Sequence, residues 1–234
     1  MKDKVAGNIM ELRGRIADAC EEYDRDADDI TVVAVTKTHS PAIIRMAVAA
    51  GLHNIGESRI QEAEPKFREV GPIARFHMVG HLQSNKAKKA VQLFDVIQSI
   101  DSLKLAKEIN RQAGQIDRTI ECLVEVNSSG ESEKFGVAPE DCLDLVRKTD
   151  ELSNINLAGL MTIGPLTYDE HEIRRSFALC HELYRQGKDI VGEEFDTLSM
   201  GMTSDFPLAI AEGSTMIRVG TFLFGKRQPR SQQQ

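Results

Sequence analysis

Residues 30–35 read Ile30-Thr31-Val32-Val33-Ala34-Val35, and Thr36-Lys37-Thr38 follows directly. A continuous run of β-branched and small apolar residues suits a strand buried on both faces, as in parallel sheets covered by helices. Runs of this kind return along the chain: HNIGE at 53–57, RFHMVG at 75–80, DVIQSI at 95–100 and IECLVEV at 120–126. INLAGLMTI at 155–163, DTLSMG at 196–201 and MIRVG at 216–220 complete a set of eight.

The segments between the runs carry helical periodicity, for example 41–50, 84–94, 102–113, 139–149 and 169–186. Pro41 and Pro139 stand where a first helical turn tolerates a missing N–H, and Ser84 and Ser102 are candidate N-caps. One further helix opens the chain at about 4–23, with Val5, Ile9, Leu12, Ile16 and Ala19 on one stripe. Eight βα units within about 200 residues predict an α/β fold, a single-domain (β/α)8 TIM-type barrel with an extra N-terminal helix. An open doubly wound sheet would have fewer strands and a Gly-rich first turn, which this sequence lacks. The expected barrel domain is 1–227, and 228–234 reads as a disordered tail.

Composition narrows the function. The chain has 234 residues, 41% hydrophobic and 28% charged, an ordinary soluble mixture. A net charge of −7 disfavours nucleic acid, and the absence of Trp with only 5% aromatics argues against stacking on bases. Cys20, Cys122, Cys142 and Cys180 form no C-x-x-C pair and read as small buried hydrophobes in a reducing compartment, not as disulfides or a zinc site. The N-terminus lacks a leader-like apolar stretch, and no apolar run reaches about 18 residues, so the expectation is a cytoplasmic protein without a membrane span.

In a barrel the chemistry sits at the C-terminal ends of the strands. Lys37 lies at such an end: it is either a surface lysine closing a strand or a partly desolvated amine able to form a Schiff base with an aldehyde. Ser199-Met200-Gly201-Met202-Thr203-Ser204 follows the seventh strand and opens a helix, with Asp205 and Pro207 expected in its first turn. Arg218-Val219-Gly220-Thr221 ends the eighth, joining a cation, a close-approach glycine and a hydroxyl. These are the two loops where barrels place a phosphate. A lysine facing a phosphate site is what pyridoxal 5'-phosphate (PLP) requires.

The blocks VVAVTKTH, NIGESRIQE, FHMVGHLQSNK, LAGLMTIG, LSMGMTSD and GSTMIRVGTFLFGKR, spanning most of 30–227, resemble in order and spacing those of the pyridoxal phosphate homeostasis protein family. The resemblance implies a barrel similar to the N-terminal domain of alanine racemase, with Lys37 carrying PLP covalently as an internal aldimine. It further implies Ser199, Met200, Gly201, Thr203, Gly220 and Thr221 as phosphate neighbours. Arg218 would face the pyridine nitrogen, with phosphate contact as the alternative. Ser58 stands where the family usually has Asn, and Phe76 and His81 stand for its Trp and Pro, so the rim near the third strand is expected to differ.

Other motifs carry less. Residues 220–226 match the letters of a P-loop, but Arg227 occupies the position that needs Ser or Thr. His77 and His81 flank the end of the third strand without a third ligand, so no metal site is expected, and His77 reads as a cofactor-side or capping residue near the mouth. Glu57 reads equally as an acid/base or as a structural acceptor.

The implied function is a PLP carrier supporting vitamin B6 and amino-acid homeostasis without robust catalysis, with apo PLP-dependent enzymes as recipients and a monomer favoured over a dimer. Racemisation needs a second acid/base opposite the lysine, and Tyr23, Tyr168 and Tyr184 all read as lying away from the strand-end face. The alternative is a small PLP-dependent racemase or decarboxylase that uses Glu57 or His77. Arg218→Gln and Gly220→Val are expected to weaken cofactor retention more than apo stability.

Overall fold

The computed structural model describes residues 2–225; the tail expected at 228–234 lies outside them. Eight parallel strands pair in chain order: β1 Thr31–Val35, β2 Asn54–Glu57, β3 Arg75–Met78, β4 Val96–Ile100, β5 Ile120–Glu125, β6 Ile155–Met161, β7 Thr197–Ser199 and β8 Met216–Val219. β8 closes on β1 through Thr31↔Met216 to Ala34↔Val219, leaving no edge strand among the described residues. The outer ring comprises α1 Lys2–Glu22, α2 Pro41–Ala49, α3 Ile60–Val70, α4 Ala87–Leu93, α5 Leu103–Gly114, α6 Pro139–Asp150, α7 Glu170–Val191, α8 Phe206–Ala211 and α9 Thr221–Phe224. The α/β barrel expected from the eight runs is therefore the observed fold.

Strand alternation sorts the side chains into two cores. Val33, Val35, Val79 and Met216 meet inside the barrel, and Leu123, Ala158 and Met161 form a second interior cluster. Ala34, Ile55 and Phe76 point outward into the continuous layer beneath the helices. The stripe foreseen on α1 is buried there, and Asn8 Nδ2 donates to the carbonyls of Phe222 (3.2 Å) and Leu223 (2.8 Å), tying α1 to α9 beside the last strand. All four cysteines are buried free thiols.

Two capping expectations separate. Ser102 Oγ accepts from Leu105 N–H and caps α5. Ser84 does not cap: it opens a 3-10 turn, 84–86, that runs into α4 and has Gln83 before it. Asp205 lies before α8 instead of within its first turn, and its Oδ1 accepts from Met202 N–H at 2.5 Å, holding the preceding turn.

Candidate functional site

A cavity of about 300 Å³ opens at the C-terminal ends of the strands, at the lower end of the range for small-ligand sites. β1 contributes Val35 and, from the turn that follows it, Lys37 and His39. The loops after β7 and β8 contribute Met202, Thr203, Ser204, Gly220 and Thr221, and Arg218 reaches the cavity from the end of β8 itself. Ser58, Val79, Ile163 and Gly225 complete the wall. Lys37, half-buried, thus shares one cavity with the two loops singled out in the sequence. His39 and Ser204 were missed as wall residues, although each lies within a stretch that was singled out.

Ser199, Met200 and Gly201 do not line the cavity. Ser199 is fully buried in the barrel, where its Oγ donates to Gln98 Oε1 (2.8 Å) and accepts from Arg218 Nη1 (2.6 Å). Met200 packs in the outer core. Gly201 has φ +93°, and a Cβ there would lie 2.6 Å from that of Ala209, so its backbone turns the chain in space that no side chain fits. The N–H groups of Thr203 and Ser204 have no acceptor among the described residues and are available to an anion.

Arg218 is a fixed cation. Its Nη1 also donates to Ser199 O (2.8 Å) and its Nη2 to Thr162 O (2.7 Å). Burial lowers its pKa to about 10, opposed by Glu125 and Asp205, so it stays charged at neutral pH. Glu125, 4% exposed, has its pKa raised to about 7 by burial against the pull of Arg218, and its Oε2 has no hydrogen-bond partner among the described residues.

The polar residues below Arg218 continue through the barrel. Gln98 Nε2 meets His77 Nδ1 (2.9 Å), and His77 Nε2 meets Asn54 Oδ1 (3.1 Å). Asn54 and His77 line a separate cavity formed by the N-terminal ends of the strands. His77 is therefore not near the mouth, as its place in the sequence suggested: it faces inward from β3 and belongs to the opposite end of the barrel. Burial lowers its pKa to about 3, so it is neutral. Glu57 does not line the cavity either. Its Oε1 accepts from Lys66 Nζ and from Thr36 Oγ1, both at 2.7 Å, beneath α3.

The family departures fall in different places. Phe76 stacks on Phe67 with ring centroids 3.7 Å apart, in the layer under α3, and does not reach the rim. His81 does reach it, stacking on Phe135 at 3.8 Å and meeting Asp101 at 3.2 Å. Ser58 lines the cavity. Tyr168 corrects another expectation: it is fully exposed on the loop between β6 and α7, and so on the strand-end face after all. Tyr23 Oη accepts from Arg174, and Tyr184 stacks on Phe195 in the outer layer.

Residues 13–228 match the family described as alanine racemase, N-terminal domain. A pyridoxal phosphate homeostasis protein of Haemophilus influenzae is 36% identical over 94% of each chain. One from Pseudomonas aeruginosa is 37% identical over 95% of this chain and 96% of its own. The chain belongs to the pyridoxal phosphate homeostasis protein family. PipY of Synechococcus elongatus PCC7942, 37% identical, has been solved without PLP (TM-score 0.85) and with PLP bound (TM-score 0.79), each covering 94% of this chain and 100% of that one. Alanine racemase of Clostridium difficile 630, 18% identical with a TM-score of 0.75, shares the fold: the match covers 98% of this chain and 57% of the racemase.

Proposed function

We propose that this chain binds PLP in the mouth cavity, held covalently on Lys37, and acts as a carrier that maintains intracellular PLP and amino-acid homeostasis without robust catalysis of its own. The observation that carries this reading is the single cavity uniting Lys37, Arg218 and the Thr203 and Thr221 loops. These residues fit the group: an amine for the aldehyde, orphan N–H groups and hydroxyls for the phosphate, and a buried cation for the ring. The kinship with PipY, solved with PLP bound, supports the ligand class.

When bound, PLP would supply an aldehyde, and Lys37 is the amine in the cavity that would hold it. Thr203, Gly220 and Thr221 would hold the phosphate, with Gly201 shaping the loop and Ser199 and Met200 supporting that loop from below. Arg218 would hold the pyridine nitrogen's side of the ring. Borohydride reduction of the PLP-loaded protein is expected to fix the cofactor's mass on Lys37; a label on another lysine overturns the assignment.

The carrier reading draws support from the fate of the alternative's acid/base groups. Glu57 is engaged by Lys66, and His77 lies at the far end of the barrel. With both withdrawn, the racemase or decarboxylase reading lacks the second base it invoked. Incubating the loaded protein with L- and D-amino acids in deuterated water is expected to give no α-proton exchange, chirality loss or CO₂ release above the free-cofactor rate. We further propose a cytoplasmic monomer whose single domain spans 1–227 and whose recipients are apo PLP-dependent enzymes. No helix among the described residues is long and apolar enough to cross a membrane.

A further inference from the structure

The turn that carries Lys37 is held from α3. Thr36 O accepts from Lys66 Nζ at 2.9 Å and from His39 N–H at 3.0 Å, which closes the turn around Lys37 and Thr38. Thr38 N–H donates to Glu62 Oε2 at 3.1 Å. Glu62 and Lys66 stand four residues apart on α3, hence on one helical face. Behind them, Glu57 Oε1 binds both Lys66 Nζ and Thr36 Oγ1. Thr36 and Glu57 are fully buried and Lys66 is 8% exposed.

Two features set this arrangement apart from ordinary helix packing. Thr38 has φ +68°, and a β-branched residue in the left-handed region persists only where its surroundings impose it. A buried ion pair is also a poor source of stability, because desolvation offsets its attraction. Here the pair sits against the carbonyl one residue before Lys37.

We propose that Lys66, anchored by Glu57, is a positioning residue that holds the strained 36–39 turn and so aims Lys37 Nζ into the cavity. The proposal rests on the reading of Lys37 as the cofactor-bearing amine. Glu62 holds the same turn at Thr38. Through this linkage α3, none of whose residues line the cavity, would bear on cofactor capture.

The test uses the full chain and PLP itself. Lys66→Met/Glu57→Gln removes both buried charges together, so the fold is not left with one unpaired. Its PLP dissociation constant is expected to rise about tenfold or more, borohydride trapping at Lys37 to slow, and the induced circular dichroism of bound PLP to change. The apo thermal midpoint is expected to move little. Should that variant fail to fold, Lys66→Arg carries the test: it keeps a cation opposite Glu57, but its planar fork does not reproduce the ammonium's bonds to Glu57 and Thr36. Slower trapping and an altered dichroic band are expected there also. Wild-type affinity, trapping rate and dichroism in a folded variant would overturn the positioning role while leaving Lys37 as the modified residue. A wild-type protein labelled at a different lysine would overturn the underlying reading instead.

Discussion

Arg218 was expected to matter to the ligand more than to the fold. Its bonds to Ser199 O, Ser199 Oγ and Thr162 O change that balance. Removing a buried charged donor strands its acceptors, so Arg218→Gln is expected to lower apo stability by at least about 2 kcal/mol, read from urea midpoints. Gly220→Val is revised likewise: any Cβ at 220 would lie 2.9 Å from Val35 O, so the substitution strains the β1–β8 seam before a ligand is considered. Two other buried groups contribute opposing pH dependences. His77, lowered to about 3 by burial from an ordinary 6.5, penalises folding increasingly as pH falls from 6.5 towards 3, because the unfolded chain then binds the extra proton. Glu125, raised to about 7 by burial from 4.5, penalises folding increasingly as pH rises from 4.5 to 7, because the folded chain then holds the extra proton. Between pH 4.5 and 6.5 the two slopes oppose. Glu125→Gln is therefore expected to stabilise the apo protein at pH 8, by up to about 3 kcal/mol, and to do little at pH 4. An equal effect at both pH values would show that Glu125 does not titrate in this way.

Among the elements, the helix starts distinguish local from tertiary control. Ser102 and Ser84 look alike in sequence, each a serine before a helical stretch. Ser102 has an extended backbone and accepts from Leu105 N–H, whereas Ser84 opens a 3-10 turn and makes no cap. Ser102→Ala is accordingly expected to cost about 1 kcal/mol and Ser84→Ala less than about 0.5 kcal/mol, compared by chemical denaturation. α3 was the least legible element for function. Its pattern gave no hint that Glu62 and Lys66 reach the turn after β1, because the two segments become neighbours only when β1 and β2 pair.

For the whole molecule, binding should appear as stability. A ligand that prefers the folded state adds about 2.7 kcal/mol at a concentration one hundred times its dissociation constant. The thermal midpoint is therefore expected to rise with PLP in the wild type and much less in Lys37→Ala. An equal rise in both would place the affinity elsewhere. The sequence by itself determined the eight-strand barrel, the buried stripe of α1, the thiol burial and the loops that meet at the mouth. Those features follow from periodicity and from a topology that brings every strand's C-terminal end to one face. Lys37, Thr203, Gly220 and Thr221 could be grouped for that reason. Only the tertiary structure decided which way each residue beside them points. Successive strand residues alternate between barrel interior and helix layer, so Phe76 went under α3 and His77 inside. Depth along the strand decided the rest: His77 at one end of the barrel and Arg218 at the other are joined by Gln98 and Ser199. Contacts among residues from β2, β3, β4, β7 and β8 arise only on closure of the sheet, and no local pattern encodes them.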